Sequence, residues 1–232
     1  MTDIAEIGLF EALYSTRAMR RFRPDAVSDE IIERILDAGI RAPSGGNRQE
    51  WRFVVITDSI RRAQIAAIYE KASRTVMAFY AQRSRPAHIS EEQYRRLMDA
   101  GVYLHHHMVE APVLLLLCAQ IEVLKWPDAA DALGRSAVLN QIERTRAASI
   151  YPAMQNIILA CRGLGLGTLP TTNHLLYEQE IKDVLGLPSD VDTYALMPIG
   201  YPRGRFGPLS RRPVREVTFR DQWGMPWRKT TA

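Results

Sequence analysis

The sequence predicts a layered α+β domain. Three observations carry this. Apolar, strand-length runs at 51–57, 112–119 and 194–201 are separated by longer segments with helical periodicity. The order of elements is helices, strand, helices, strand, helix, strand, helix, strand, which is not a strict βαβ repeat. No repeat, low-complexity block or Pro/Gly/Ser linker divides the 232 residues, so residues 1–232 read as one domain. At 47% hydrophobic the chain can build one sizeable core, or one core shared between two chains.

In order, residues 4–16 are expected to form a helix and Arg17 to Pro24 a basic loop, TRAMRRFRP with its preceding Thr16. Ser28 caps the next helix, with Asp29 and Glu30 favoured in its first turn by the helix dipole. Ile31, Ile32, Ile35, Leu36 and Ile40 keep the 3.6-residue period. A Gly-rich loop at 43–47 precedes the β-branched and aromatic strand WRFVVIT. Residues 59–83 are helical, and Ser90-Glu91-Glu92-Gln93 is a capping box opening a helix to about residue 109. PVLLLLCA at 112–119 is a buried strand, while 122–148 are polar and mixed and give no clear element. Ser149, with Pro152 in the first turn, starts a helix that Gly163 and Gly165 end. A short strand 167–169 leads to the loop Pro170-Thr171-Thr172-Asn173, a helix 177–185 follows, and 194–201 is the last strand. Residues 202–232, rich in Arg with Trp223 and Trp227, read as an extended arm that packs on a second subunit or wraps its own chain.

Composition excludes several classes. No run approaches the ~18 apolar residues of a membrane span. The N-terminus carries acids early and no basic region before an apolar run, so it is not a secretory signal. The net charge of +4 is too mild for a nucleic-acid tail. Cys118 and Cys161 lie in apolar runs without a CxxC, as expected of buried thiols in a cytoplasmic protein. No Walker A sequence or GxGxxG follows a strand, and no GxSxG or HExxH is present. His105, His106 and His107 point about 100° apart on a helix, so they do not share one metal, and no metal site is expected.

What remains is a set of polar loops beside element ends. Arg17, Arg20, Arg21 and Arg23 crowd seven positions. As an extended segment, Arg17, Met19, Arg21 and Arg23 would face one way; in a tight loop Arg17 and Arg20 converge. The run is either a solvated basic face or a phosphate clamp. The stretch APSGGNRQEW and the loop PTTN offer backbone N–H groups and short polar side chains. A ligand with a phosphate at one end and a polar planar ring at the other, such as flavin mononucleotide (FMN), fits this set.

The segments RAPSGGNRQEWRFVVITD, SIYPAMQNIILACRGLGLGT, TLPTTN and LMPIGYPRGRFGPLSRRPV resemble, in order, the FMN-dependent nitroreductase superfamily. The resemblance implies a three-layer α-β-α fold, a homodimer with an extended C-terminal arm, and FMN at the subunit interface. Electrons would come from NADH or NADPH and pass to a small-molecule acceptor, aromatic or quinone-like. By position it places cofactor contacts on Thr16, Arg17, Ala18, Met19 and Arg20, on Ser44, Gly45 and Asn47, on Pro170, Thr171 and Thr172, and on Arg211. Thr16 and Ala18 stand where the family pattern has Arg and Ser, and Glu50 stands where it has Pro. PTTN and the GYP…RRP tail look more like the iodotyrosine deiodinase branch than the classical nitroreductases, though Lys71 and Tyr80 do not match its Glu-Tyr-Lys lid. The flavin destructase branch has Asp at the position of Ala18, which argues against that activity. A flavin-binding protein without turnover and a reductive dehalogenase-like enzyme stay open, and no catalytic side chain is assigned.

Overall fold

The computed structural model describes residues 7–122 and 134–227. Its elements are α1 (Leu9–Ser15), α2 (Asp29–Gly39), β1 (Trp51–Ile56), α3 (Ser59–Tyr80), α4 (Glu91–His107), β2 (Val113–Gln120), α5 (Arg135–Gly163), β3 (Gly167–Thr168), α6 (Glu178–Leu185) and β4 (Val191–Gly200). The strands form one antiparallel sheet in the order β1-β2-β4-β3. The predicted element order is observed. Residues 4–6 and 228–232 of the first helix and the tail lie outside the described residues.

β2 is buried along seven of its eight positions, and its side chains alternate between two cores. Val113, Leu115, Leu117 and Ala119 join α2 and α5 residues such as Ile32, Ile35, Ile150 and Ile157. Leu114, Leu116 and Cys118 join Ile65 and Tyr69 of α3, Leu104 of α4 and Ile181 of α6. Helices therefore cover both faces of the sheet, which is why the run VLLLLC has no polar face. Opposite Leu117/Cys118 the pairing slips by one residue. Tyr194 and Ala195 then both face the α2/α5 side, and Thr193 is left facing α6.

Several expectations are corrected in detail. α5 begins at Arg135, within the stretch that sequence reading left unplaced, so Pro152 lies inside the helix and not in its first turn. Its missing N–H deprives the Ala148 carbonyl of a helical donor. Ser28 caps α2 by position, but its hydroxyl bonds no helix N–H; its carbonyl accepts from Ile31 and Ile32. The Ser28 hydroxyl instead bonds Glu30, lowering that carboxyl's pKa. The capping box at Ser90 and Gln93 is present in both directions. α3 ends at Tyr80, three residues early, and Asp58 caps its start by accepting from the Arg61 N–H at 2.8 Å. From Pro202 to Trp227 the chain has one 3-10 turn, Val214–Glu216, and no helix or strand.

β3 and the basic segment meet at a close approach. A Cβ on Gly167 would sit 2.7 Å from Met19 Cβ and 3.1 Å from Pro202 Cβ, so the Met19 backbone would have to move. Gly163, at the end of α5, has nothing within 4 Å of such a Cβ. Gly167→Ala should therefore lower stability by about 1–3 kcal/mol in denaturant unfolding, while Gly163→Ala should change it by less than about 0.5 kcal/mol. Equal midpoints for the two variants would refute the packing argument.

Candidate functional site

After α1 the basic segment runs along the sheet edge. Met19 N–H donates to Thr168 O at 3.2 Å, Arg203 N–H to Arg21 O at 2.9 Å, and Arg23 N–H to Tyr201 O at 2.8 Å. Met19 and Phe22 anchor the segment in the core. The four arginines do not alternate. Arg21 lies over the Tyr103 ring at 3.9 Å, and Arg23 pairs with Asp25 at 3.1 Å. Arg17 and Arg20 converge on one cavity of about 460 Å³, with Ala18, Arg96 and, from the tail, Arg211. Among the described residues no carboxylate pairs with Arg17, Arg20 or Arg211; Arg96 pairs with Glu92. Burial lowers the pKa of half-buried Arg20; Tyr69 opposes this and the Arg17 charge adds to it. Arg20 is thus an under-solvated cation without a counter-charge, which an anion in the cavity would relieve.

Arg20 and Leu97 also line a second cavity, a cleft of about 370 Å³ between α3, α4 and the 169–173 loop. Its walls are mostly apolar or aromatic, with Met77, Tyr94 and Met98 among them, and Pro170, Thr171 and Asn173 close one side. The loop is held from two directions. Thr171 exchanges both backbone hydrogen bonds with Leu196 of β4 at 2.9 Å. On the α3 side, Thr171 Oγ1 donates to Tyr69 OH at 3.2 Å and Asn173 Nδ2 donates to the buried Ser73 Oγ at 3.0 Å. Burial raises the Tyr69 pKa and lowers that of His105, whose ring meets Tyr69 edge-on at 5.9 Å. Both stay neutral near pH 7.

Sequence-predicted residues fall into four groups. Arg17, Ala18, Arg20, Arg211, Pro170 and Thr171 share the two connected cavities. Thr16 and Met19 do not: Thr16 N–H closes α1 on Ala12 O, and the Met19 side chain is 6% exposed against Gly167. Thr172 faces a neighbouring cavity, although its N–H alone in the Thr171–Asn173 run has no partner among the described residues. Ser44, Gly45 and Asn47 lie on the other side of the sheet, where Gly45 N–H donates to Ser149 Oγ of α5 at 3.1 Å. That loop is stapled internally, with Ser44 Oγ accepting from Gln49 N–H at 3.1 Å and with Gly46, Asn47 and Gln49 at positive φ. Glu50, out of pattern, pairs with Arg48 at 3.2 Å, and Arg48 also meets Glu122.

Tyr69, Ser73 and His105 went unrecognised as site residues in the sequence. The available signal was polar residues within an apolar stripe: Ile65, Tyr69, Ala72 and Ser73 are the buried positions of α3. The three histidines diverge as expected: His106 reaches Glu70 at 3.2 Å, His107 reaches Glu110 at 3.1 Å, and His105 turns inward. Lys71 lies outside the cleft, paired with Glu180 at 2.6 Å.

A family model described as "Nitroreductase family" matches residues 13–201. The chain belongs to the nitroreductase family. Among curated relatives, an NADH dehydrogenase from Thermus thermophilus is 28% identical over 89% of this chain and 92% of its own length. A 5,6-dimethylbenzimidazole synthase from Rhodospirillum rubrum is 30% identical over 88% and 90%. The solved structure of an oxidised iodotyrosine deiodinase bound to FMN and 3-iodo-L-tyrosine shares the fold, with a TM-score of 0.66 at 24% identity, covering 93% of this chain and 99% of that one. Among the described residues no helix is long and apolar enough to cross a membrane.

In this chain the cleft loop runs directly into His174, which is fully buried, with Nε2 3.2 Å from Thr193 Oγ1 and Nδ1 without a partner among the described residues. Glu178 accepts from Thr193 N–H and Oγ1 at 2.7 and 2.8 Å, and Lys182 stands 3.9 Å from Glu178. Burial pushes His174 down to about 4; the Glu178 charge only partly opposes it. Between pH 6.5 and 4 the unfolded chain therefore binds a proton that the folded chain refuses, and stability falls as pH falls through that window. This group alone should cost about 2 kcal/mol between pH 7 and pH 5. Urea midpoints of the parent and of His174→Gln at both pH values check this: the variant should show a shallower pH slope, whatever its absolute stability. An unchanged slope would place the pH sensitivity elsewhere.

Proposed function

We propose that residues 1–232 form one FMN-binding domain of an oxidoreductase that passes reducing equivalents from NADH or NADPH to a small aromatic or quinone-like acceptor. The observation that carries this is the convergence of Arg17, Arg20 and Arg211, without carboxylate partners, on a cavity that shares Arg20 and Leu97 with an apolar cleft. This donor set fits FMN: three cations for a phosphate dianion at one end, and flat apolar walls with the Pro170–Thr171 loop for the ring at the other. Bound FMN would supply the two-electron chemistry that takes hydride from a nicotinamide and returns it to an acceptor. The chain's own contribution is to neutralise the phosphate, exclude water with Leu97, Met98 and Leu104, and fix the loop through Tyr69 and β4. The names of the relatives, an NADH dehydrogenase among them, support a nicotinamide donor.

The Gly-rich loop belongs to the reading only if a second copy brings it. Ser44, Gly45 and Asn47 sit on the α5 side of the sheet, and the cleft opens on the α3/α4 side. Uncovered apolar side chains supply an interface: Val214 is 73% and Trp223 86% exposed in the tail. We propose a cytoplasmic homodimer in which the tail acts as an arm, with an interface above the roughly 2,000 Å² usual for obligate dimers. A monomer in sedimentation at micromolar concentration that still holds FMN would overturn the shared site.

The phosphate end is tested by ligand contrast. Each Arg contributes a charge-assisted bond of roughly 1.5–3 kcal/mol, so Arg17→Ala, Arg20→Ala or Arg211→Ala should weaken FMN binding by about ten- to a hundredfold. Riboflavin lacks the phosphate, so its affinity should stay at the parent value. Titration of the apoprotein variants with both ligands reads this directly. Three variants that bind FMN like the parent would reduce the basic segment to a solvated face.

A further inference from the structure

The FMN reading gives no role to several side chains that line the cleft. Val76, Tyr80 and Arg83, at and just beyond the end of α3, line it opposite Tyr94 and Met98 of α4. The same three residues, with Asn173, also wall an adjoining cavity of about 380 Å³ beside Leu175 and Leu176. No Asp or Glu lines either space. Two cations do: Arg20 at the inner end and Arg83 at the outer.

Arg83 differs from its neighbours. Arg74 meets Glu70 at 2.6 Å, Arg85 meets Glu91 at 3.3 Å, and Arg96 meets Glu92. Arg83 has no carboxylate among the described residues; its guanidinium lies over the Tyr80 ring, 4.8 Å from the centroid. Such stacking occupies one face of the guanidinium and leaves the forked N–H edges free for a planar two-oxygen acceptor. A slot with aromatic and thioether walls, a fork of donors at its rim and no acid is complementary to a flat ring that carries a carboxylate.

We propose that Arg83 is a specificity-determining residue that selects aromatic carboxylates as the acceptors of this site. The inference rests on the FMN oxidoreductase reading and names its acceptor class. The ring lies in the cleft between Tyr80 and Tyr94, and the carboxylate takes two N–H donors from Arg83. With 4-nitrobenzoate, NAD(P)H supplies a hydride and becomes NAD(P)+, one proton from solvent completes the balance, and the nitro group becomes nitroso with loss of water. The ribose phosphate of NADPH presents similar anionic chemistry, so the test separates donor from acceptor.

FMN-loaded protein is titrated with benzoate and with the neutral isostere benzamide, following the visible difference spectrum of the flavin. The parent should bind benzoate more tightly than benzamide. Arg83→Gln should weaken benzoate about tenfold and leave benzamide unchanged; Arg83→Lys should recover part of the loss, because it keeps the charge without the fork. Arg95→Gln, an exposed α4 position outside the cleft, should match the parent. In turnover, Arg83→Gln should raise KM for 4-nitrobenzoate but not for 4-nitrobenzamide, with KM for NADPH and NADH unchanged. The proposal is overturned if benzoate has no advantage in the parent, if both ligands weaken equally, or if only NADPH suffers. Failure to take up FMN would instead sink the functional reading. Benzoate discrimination would then be read by thermal shift on the apoprotein, where loss of the Arg83 dependence would sink the acceptor assignment as well.

Discussion

Everything in this molecule is arranged around a strand that is apolar on both faces. β2 cannot lie at the surface, because each alternate residue, Leu114 as much as Leu115, needs a core. That forces helices onto both sides, α2 and α5 on one and α3, α4 and α6 on the other. The sheet between them then acts as a partition. A cleft on the α3/α4 side can draw on the sheet edge, through the basic segment and the loop after β3, but not on the loop before β1. The distance between the Gly-rich loop and the arginines is therefore built into the fold, and on the proposed reading it is why two copies are needed for one ligand.

The parts of this arrangement that were legible in the sequence are those dictated by local chemistry. The run VLLLLC announced a buried strand, the Ser90–Gln93 box announced a helix start, and Arg17 and Arg20 converge on one cavity, as the tight-loop alternative for that segment had it. α5 was illegible before Ser149, because Pro152 reads as a start signal and the preceding turns are polar on most sides. Met19 was misplaced for a different reason. Its neighbours in sequence face the cavity, but a glycine 148 positions later, at Gly167, leaves the hole that it fills. Tyr69 and Ser73 carry no motif; their role depends on a loop about a hundred residues away, which periodicity cannot see.

Counting cations says less than asking what each one meets. Arg21 and Arg23 are spent on Tyr103, Tyr201 and Asp25, and Arg48 is closed between Glu50 and Glu122. These arginines hold the chain to itself. Among the described residues Arg17, Arg20, Arg83 and Arg211 have no carboxylate partner, though Arg83 rests on the Tyr80 ring, and all four face the connected cavities. Free charge is costly to keep under-solvated and at close range: burial lowers the pKa of Arg20, and the Arg17 charge adds to it. A chain that leaves it unpaired retains a standing preference for anions at those points.

The other titratable groups in the cleft reinforce that preference by staying silent. Tyr69 is pushed up by burial, so it remains a phenol; His105 is pushed down by burial, by the neighbouring His106 and by Arg20, so it remains an imidazole. Neither offsets the arginines with a negative charge or adds a positive one near pH 7. With no acid in the lining, the field inside the cleft is set by Arg20 at one end and Arg83 at the other. A neutral ring entering it gains only contact with the walls. A ring whose own charge is negative gains that contact and also relieves the repulsion among cations that the fold has already paid to assemble.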